Sequence, residues 1–400
     1  MLKRDFLEIN SSRQCPLCKQ NNVLLLHTIK YPSEKNRILP TTYKIVSCKT
    51  CGMIFDDLDI TADILDQYYS QENKYAMEDI AGSGGCSIYD IKRFQRIIDL
   101  IISQKINRNA DIIDVGTGKG HLLQMLKENN FTNLCAVEKS QRCIEFMKKN
   151  ATWKIIHASL DELNGKCSSD LIICSNIFEH ILTPDKSLKI LWEILRENGL
   201  LLIEVPDVCR YKDYFYKPYH YFDAEHINHF SLTSLKNLLI SCGFEIVTFG
   251  SNELELCENV TYPNCYVLCR KTFTTENELK KDIESLINIL PYLDSSSEYV
   301  KHQNISLNSI STQERYFIWG LGAYGLKLLN QGFFNNFNII GLIDSDITKQ
   351  GTIVQGHKVY SPQVIMSEEK CTVCITSAIY DKEIRKQLQK MGFSGKIVSF

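Results

Sequence analysis

The stretch "ADIIDVGTGKGHLLQML", residues 110–126, combines an apolar run, three closely spaced glycines and an amphipathic pattern. The apolar run is typical of a buried strand that ends at Asp114, and the residues from His121 onward predict a helix. Glycines between a strand and a helix permit a tight turn and let the main chain approach a ligand closely. The turn residues are Gly116, Thr117, Gly118 and Gly120. The stretch therefore predicts a parallel α/β domain with a binding loop after its first strand.

The strands that follow end in residues suited to a ligand. The second, in "NLCAVEKS", ends in Glu138, where a carboxylate can accept hydrogen bonds from both hydroxyls of a ribose. The third, in "WKIIHASLDEL", is followed by Ser159 and Leu160, where a base can lie. These positions fall at the carboxyl ends of neighbouring strands, which is where open α/β sheets bind their ligands.

A fourth strand, in "SDLIICSNIFEHI", is followed by Ser175, Asn176 and His180. A fifth, "GLLLIEVP", comes next, and "FEIVTFGS" with "YPNCYVLCRK" predicts a closing pair of strands after a helix that ends at Gly243. A nicotinamide-binding domain would share the glycine turn and the second-strand acid, so those two features alone are weak.

The whole combination resembles class I S-adenosylmethionine-dependent methyltransferases over roughly residues 87–271: D-x-G-x-G-x-G, the acid at Glu138, the fourth-strand stretch and the final strand pair. The resemblance implies that Asp114 and the glycine loop hold the methionine end of the cofactor. It implies that Glu138 holds the ribose, and that Ser159 and Leu160 hold the adenine. The cofactor-binding residues it implies are Asp114, Gly116, Thr117, Gly118, Gly120, Glu138, Ser159, Leu160, Ser175 and Asn176.

Four of the 16 cysteines form two CxxC pairs, Cys15 with Cys18 in "CPLC" and Cys48 with Cys51 in "CKTCG". Two such pairs suit tetrahedral zinc, and four thiolate ligands predict a closed, structural site. The 29 residues between the pairs exceed the commonest interval of about 15–20, and they contain two strand-like runs, as in a zinc ribbon. The separate "CTVC" lies in an apolar run and is interpreted as core.

The C-terminal part begins with two helical patterns in residues 273–312, interpreted as a helical linker. "RYFIWGLGAYGLKLLN" then predicts strand, Gly320-x-Gly322-x-x-Gly325 and helix, and Asp344 follows 19 residues later. This satisfies the formal dinucleotide fingerprint. The region is only about half of a full dinucleotide-binding sheet, however, and its "DSDITKQG" resembles the C-terminal domain of sugar C-methyltransferases. A Rossmann-like domain without bound NAD is therefore expected.

The three parts, in this order, resemble the bacterial sugar C-methyltransferase family over nearly the whole chain. The resemblance implies an α/β protein with an N-terminal zinc ribbon, a Rossmann-like methyltransferase core and a small Rossmann-like C-terminal domain. The implied boundaries are 1–78, 79–272, 273–312 for the linker and 313–400. Members methylate a carbon beside a ketone on a nucleotide-linked deoxysugar, so the implied partner is a nucleotide sugar.

In that family a Glu-His pair in an "EHxxYFS"-like motif supplies the catalytic base, and "EHINHFS" places Glu225 and His226 there. His180, past the fourth strand, and Tyr75, in a tyrosine-rich segment, are the other catalytic residues implied. Histidine suits the task because its ordinary pKa of about 6.5 leaves a neutral base near pH 7.

Some residues depart from the family pattern. Asp223 and His229 stand where the C-methyltransferases have tyrosine, and the tail has "ITSAIYDKEI" where they have a tryptophan–asparagine pair. These departures keep O-methylation of a sugar hydroxyl open. Two further alternatives concern Asp223, Glu225, His226 and His229: a metal site, or a structural loop ending at Ser231, which looks like a helix N-cap.

The composition limits the remaining classes. A net charge of -2, without a basic block, argues against the rival interpretation of a zinc-ribbon nucleic-acid methyltransferase. The intact glycine loop argues against a non-catalytic scaffold. Sixteen cysteines, an N-terminus without a secretory signal and the absence of an apolar run of roughly 18 residues predict a cytoplasmic enzyme that does not span a membrane.

Overall fold

The computed structural model describes residues 6–30, 38–71, 85–165, 167–258, 260–273, 279–307, 313–368, 370–377 and 379–400. Within these ranges the chain forms three sheets and divides into two compact units. The first unit contains the described residues up to 29 together with 38–214 and 224–290. The second contains Lys30, residues 215–223 and residues 291–400.

The first sheet is antiparallel where its pairings are defined, and it has five strands. Its order is Glu8–Asn10 (β1), Asn22–Lys30 (β2), Thr42–Cys48 (β3), Ile54–Asp57 (β4) and Asn228–His229 (β10). Asn228 lies opposite Phe55 and His229 opposite Ile54. The N-terminal sheet therefore takes its last strand from a segment far along the chain.

The second sheet has seven strands in the order β11–β12–β9–β8–β5–β6–β7. Their bounds are Asp111–Val115 (β5), Asn133–Glu138 (β6), Lys154–His157 (β7), Ser169–Ser175 (β8), Leu195–Pro206 (β9), Phe244–Cys257 (β11) and Val260–Lys271 (β12). β7, β6, β5, β8 and β9 are parallel, and β12 and β11 close the sheet as an antiparallel pair. This is an α/β fold with a Rossmann-like, mostly parallel sheet, as the sequence predicts.

Within the described residues, six α-helices lie wholly in the first unit after β4. They are Ala62–Gln71 (α1), Ile88–Ser103 (α2), His121–Glu128 (α3), Gln141–Met147 (α4), Pro184–Ile194 (α5) and Leu232–Ser241 (α6). Ser87 caps α2, because its Oγ accepts a hydrogen bond from the main-chain NH of Asp90 at 3.0 Å. Ser231 caps α6 in the same way through the NH of Ser234, as predicted.

The described residues of the predicted helical linker contain one helix, Ile283–Leu307 (α7), with Pro291 inside it. The helix continues because its buried positions keep a spacing of three to four residues across the proline, at Ile289, Tyr292, Leu293 and Ser296.

The third sheet lies in the second unit, with the order β15–β16–β14–β13–β17–β18. The elements are Arg315–Trp319 (β13), Ala323–Asn330 (α8), Asn338–Ile343 (β14), Ile353–Val354 (β15), His357–Tyr360 (β16), Thr372–Ile375 (β17), Asp381–Lys390 (α9) and Lys396–Ser399 (β18). Apart from the β15–β16 pair, the neighbouring strands run parallel. The "CTVC" stretch contributes the buried strand β17, so Cys374 is a core residue as interpreted.

Candidate functional site

The loop after β5 has the left-handed main chain that its glycines permit. The φ angles are 66° at Gly116, 58° at Gly118 and 79° at Gly120. A Cβ on Gly116 would lie 2.1 Å from Cδ1 of Ile177, and a Cβ on Gly120 would lie 2.8 Å from Sδ of Met147. The loop therefore needs glycine both for its backbone angles and for its close packing.

Asp114 lies at the end of β5 and is almost completely buried. Its Oδ2 accepts a hydrogen bond from the Thr117 hydroxyl at 2.6 Å. Burial raises the pKa of Asp114 to about 7, while the bond from Thr117 and the charge of Arg93 oppose the rise and Glu138 adds to it. Near neutral pH, a small change in the surrounding electrostatics therefore alters the charge of this carboxyl group.

Glu138 closes the same loop from the end of β6. Its Oε2 accepts from the NH of Gly118 at 2.8 Å, and its Oε1 accepts from the NH groups of Lys139 at 2.9 Å and Ser140 at 2.8 Å. Burial raises the pKa of Glu138, and these three bonds work against that rise. The carboxylate is therefore fixed in direction before any ligand arrives.

The remaining residues predicted for the cofactor lie at neighbouring strand ends. Ser159 caps the 3₁₀ turn Leu160–Glu162 and exchanges bonds with Glu162. Ser175 donates to Oε2 of the buried Glu204 at 2.7 Å. Asn176 has a φ of 57°, and its side-chain oxygen accepts from Asn264 at 3.0 Å. Each of them thus follows the carboxyl end of β7 or β8, in the order that the sequence predicts.

The rings of His180 and His226 lie next to each other, and both residues belong to the first compact unit. Their ring centroids are 4.8 Å apart, with the planes at 63°. Nδ1 of His180 lies 3.0 Å from the main-chain oxygen of Glu225. Because a carbonyl oxygen only accepts, Nδ1 carries the proton in the neutral ring. The Tyr262 hydroxyl lies 3.4 Å from Nδ1 of His226.

Glu179 belongs to this cluster, although the sequence reasoning did not select it. One carboxylate oxygen of Glu179, Nε2 of His180 and a ring nitrogen of His226 lie within 4.8 Å of one another. Glu179 is 2% exposed. A buried carboxylate at this distance attracts a nearby positive charge. The "FEHI" stretch is itself the signal, because it places an acid directly before a histidine past a strand end.

His229 does not join His226. It is completely buried in β10, with Nε2 3.0 Å from Oδ1 of Asp56 and Nδ1 3.4 Å from the Tyr211 hydroxyl. The alternative of a metal site built from Asp223, Glu225, His226 and His229 is therefore wrong, because the ring nitrogens of His229 already bind Asp56 and Tyr211. Tyr75, predicted to be catalytic, lies outside the described residues.

The four cysteines of the CxxC pairs come together. The Sγ atoms of Cys15 and Cys51 are 3.5 Å apart, those of Cys18 and Cys48 are 3.4 Å apart, and all four lie within 4.8 Å of one another. A tetrahedral zinc with Zn–S bonds of about 2.3 Å needs S···S distances of about 3.8 Å. The donor set and its spacing therefore fit one structural zinc ion.

In the C-terminal sheet, the residues of the dinucleotide fingerprint make hydrogen bonds and packing contacts within their own domain. Oδ2 of Asp344 accepts from the NH of Leu321 at 2.8 Å and lies 3.3 Å from Nζ of Lys349, while Oδ1 accepts from the NH of Asp346 at 2.9 Å. A Cβ on Gly325 would lie 1.9 Å from the oxygen of Gly320. The third glycine thus serves the close packing of the turn, the role it has in the fingerprint in general.

Residues 89–248 match a family model described as a methyltransferase domain. The protein is therefore an enzyme with a methyltransferase domain. Residues 312–398 match a second model, described as C2185-like, N-terminal. A search of curated proteins found no match. Among the described residues, no helix of this methyltransferase combines the length and apolar character needed to cross a membrane.

Solved structures similar to the methyltransferase include three enzymes. Magnesium protoporphyrin IX methyltransferase from Synechocystis has 13% identity and a TM-score of 0.43, over 53% of this chain and 100% of that chain. The 1,6-didemethyltoxoflavin-N1-methyltransferase from Burkholderia thailandensis has 15% identity and a TM-score of 0.39, over 56% and 97%. An S-adenosylmethionine-dependent methyltransferase from Clostridium acetobutylicum has 15% identity and a TM-score of 0.38, over 46% and 92%. At these scores none assigns a substrate.

The pKa of Asp114 makes a prediction for the binding of S-adenosylhomocysteine to the methyltransferase. Since that pKa is about 7, Asp114 loses its charge as pH falls below 7, and if it holds the ammonium group of the ligand, as the sequence predicts, the attraction is then lost. We expect the Kd to rise by up to about tenfold per pH unit below 7. Titration calorimetry between pH 5.5 and 8 measures it, and Asp114→Asn should bind weakly with a flat profile. A flat profile in the wild type contradicts this role.

Gly116→Ala is expected to weaken cofactor binding and to destabilise the methyltransferase by more than about 1 kcal/mol, because the new Cβ meets Ile177 in a loop with positive φ. Gly165→Ala is the matched control, since Gly165 has a φ of 71° and nothing within 4 Å of the added Cβ. Urea unfolding and calorimetry with S-adenosylhomocysteine measure both effects. Equal losses in the two variants would show that backbone strain alone, and not the contact, matters.

Proposed function

We propose that the enzyme transfers the methyl group of S-adenosylmethionine to a nucleotide-linked sugar, at a carbon beside a ketone, with His226 as the base. The His180–His226 pair, 4.8 Å between ring centroids, carries the proposal. Two neighbouring imidazoles with a buried carboxylate offer a proton acceptor, which C-methylation beside a ketone requires. The "EHINHFS" motif supports the choice of His226 through its resemblance to the sugar C-methyltransferases.

The chemistry needs one deprotonation and one displacement. Nε2 of His226 takes the proton from the carbon next to the ketone, while Nδ1 donates to the Tyr262 hydroxyl. The electron pair of the broken C–H bond passes into an enolate, and its carbon attacks the methyl carbon in line with the S–CH₃ bond. The C–CH₃ bond forms as the S–CH₃ bond breaks, and the sulfonium becomes a neutral thioether. Glu179 stabilises the positive charge left on the histidine pair.

Bound S-adenosylmethionine supplies an activated methyl group, so the enzyme must mainly position the two reactants. We propose that Asp114 holds the ammonium group, that Glu138 holds the ribose hydroxyls, and that Ser159 with Leu160 borders the adenine. The hydrogen bonds that Glu138 accepts from the main-chain NH groups of Gly118, Lys139 and Ser140 support this, because they orient the carboxylate in the absence of the cofactor.

We also propose one structural zinc ion in the N-terminal sheet, held by Cys15, Cys18, Cys48 and Cys51. Four thiol groups within 4.8 Å support this proposal. All four ligands come from the protein, so the ion leaves no open position for a substrate. Its role is to hold the sheet whose last strand is β10, directly after His226.

One of the sequence features that kept O-methylation open no longer bears on the question. His229, a departure from the family pattern, is buried against Asp56 and Tyr211, so this residue says nothing about the acceptor. The test separates the two reactions with a panel of nucleotide-linked ketosugars and the corresponding hydroxyl sugars. In D₂O with S-adenosylhomocysteine, the enzyme should exchange deuterium into the carbon beside the ketone, as seen by mass spectrometry. Methyl transfer to a hydroxyl without such exchange would assign the enzyme to O-methylation.

A further inference from the structure

Arg13 connects the N-terminal sheet to both histidines of the site. It lies two residues before Cys15, and its guanidinium donates three short hydrogen bonds to the core. Nη1 donates to the main-chain oxygen of Ile227 at 2.8 Å. Nη2 donates to the oxygen of Leu182 at 3.0 Å and to Oδ1 of Asn228 at 2.7 Å.

These acceptors follow the histidines closely in the chain. Leu182 is two residues after His180, and Ile227 is the residue after His226. One guanidinium therefore holds both histidine-bearing segments at once. The hydrogen bond between Nδ1 of His180 and the main-chain oxygen of Glu225 joins the same two segments. It therefore forms only while the two segments keep this relative position.

Asn228 completes the clamp from the core side. While its Oδ1 accepts from Arg13, its Nδ2 donates to the oxygens of Phe178 at 2.9 Å and Ile181 at 2.7 Å. Asn228 is 1% exposed, so these bonds lie away from water. Carbonyl oxygens left without a partner at this depth would be destabilising, because they would lose their hydrogen bonds to water without replacing them.

Arg13 is itself held by the N-terminal sheet. Oδ1 of Asp57, at the end of β4, accepts from the NH of Arg13 at 3.1 Å, and from the NH of Ser12 at 2.8 Å and its hydroxyl at 2.7 Å. Asp57 is 5% exposed. The position of the guanidinium thus depends on the sheet that the four cysteines stabilise.

Arginine suits this place better than lysine. A planar guanidinium offers five N–H donors in a fixed fork, whereas an ammonium group is a single point with three donors. Only the fork can reach acceptors on two segments while its stem stays in the sheet. For the same reason, a positive charge at this position without the fork would not hold both histidine-bearing segments.

We propose that Arg13 is a positioning residue of the methyltransferase, which sets the register of His180 and His226 for proton transfer and makes the cysteine-bearing sheet part of the catalytic arrangement. The proposal rests on the proposed role of His226 as base. It also implies that loss of the metal disturbs the histidine pair while leaving the donor loop around Asp114 in place.

The test reads the tautomer of His180 by NMR of the full-length, ¹⁵N-histidine-labelled chain saturated with S-adenosylhomocysteine. In the wild type Nδ1 should carry the proton. In Arg13→Lys this form should no longer dominate, and kcat with the ketosugar found in the panel should fall about tenfold to a hundredfold. Zinc content and the Kd for S-adenosylhomocysteine should stay at wild-type values. Asn228→Ser should give the same change from the core side.

Asp185→Asn is the matched control. It removes the ion pair between Lys19 and Asp185, which joins the same sheet to the core without touching either histidine segment. Its tautomer and kcat should be those of the wild type. A wild-type tautomer in both Arg13→Lys and Asn228→Ser overturns the proposal, as does an equal change in Asp185→Asn. If instead His226→Asn keeps full kcat, the base assignment fails, while the tautomer result still decides the role of Arg13.

Discussion

Replacing His226 with asparagine is expected to lower kcat by about 10²–10⁴-fold, the usual contribution of a positioned base. The Kd for S-adenosylhomocysteine should stay within about twofold of the wild-type value, because Asp114, the glycine loop and Glu138 belong to other strand ends. Asparagine keeps a polar group near Tyr262 but takes no proton. Steady-state methyl transfer to the ketosugar and titration calorimetry measure the two quantities. The deuterium exchange at the acceptor carbon should disappear together with kcat.

His357→Asn is the control for a histidine substitution without a catalytic role, since His357 begins β16 in the second unit. It should keep the wild-type kcat. Two results would count against His226 as base: a kcat above about a tenth of the wild-type value, or activity in the wild type that disappears on removal of a divalent ion other than zinc. The second result would assign Glu179, His180 and His226 to a metal ion, a use that their spacing within 4.8 Å permits.

The donor side could be predicted from local sequence because each of its features is short-range. The strand before Gly116, the glycines and the helix after them lie within 17 consecutive residues, and β5 and α3 occur where the pattern places them. Each CxxC pair is equally local, since it lies at the turn between two neighbouring strands, β1 and β2 for the first pair and β3 and β4 for the second. Periodicity and turn chemistry act over these distances, so sequence reasoning reaches them.

The acceptor side could not be predicted in the same way, because its decisive contacts join distant segments. β10 has only two residues, which is too short for any periodicity, and its partner β4 lies over 170 residues earlier. In the sequence His229 follows His226 by three residues, which suggests a shared site. Successive side chains of an extended chain point to opposite faces, however, so two residues three apart do so as well. His229 therefore enters the core against Asp56, whereas His226 meets His180. Nothing local marks Arg13 as the residue that joins them.

Replacing Cys48 with serine is expected to remove the zinc and to lower the Tm by about 10 °C or more. Structural zinc contributes about 10–16 kcal/mol of apparent binding free energy in small domains, and a loss of even a few kcal/mol shifts the Tm of a chain of this size by several degrees. The buried residues around the cysteines belong to the same apolar cluster as the face of the seven-stranded sheet, Val46 and Phe55 among them. Elemental analysis and thermal unfolding measure the two effects.

Cys86→Ser is the matched control, because Cys86 is an exposed thiol outside the cluster and should keep both zinc and Tm. A Cys48→Ser variant with one zinc per chain and an unchanged Tm would contradict the proposed site. The same variant separates two uses of the metal. If the sheet only stabilises the fold, kcat measured well below the Tm should match that of the wild type. If the sheet positions the histidine pair through Arg13, kcat should fall at every temperature while binding of S-adenosylhomocysteine persists. The reason is that the hydrogen bonds from the Arg13 guanidinium to the main-chain oxygens of Leu182 and Ile227 depend on an ordered sheet.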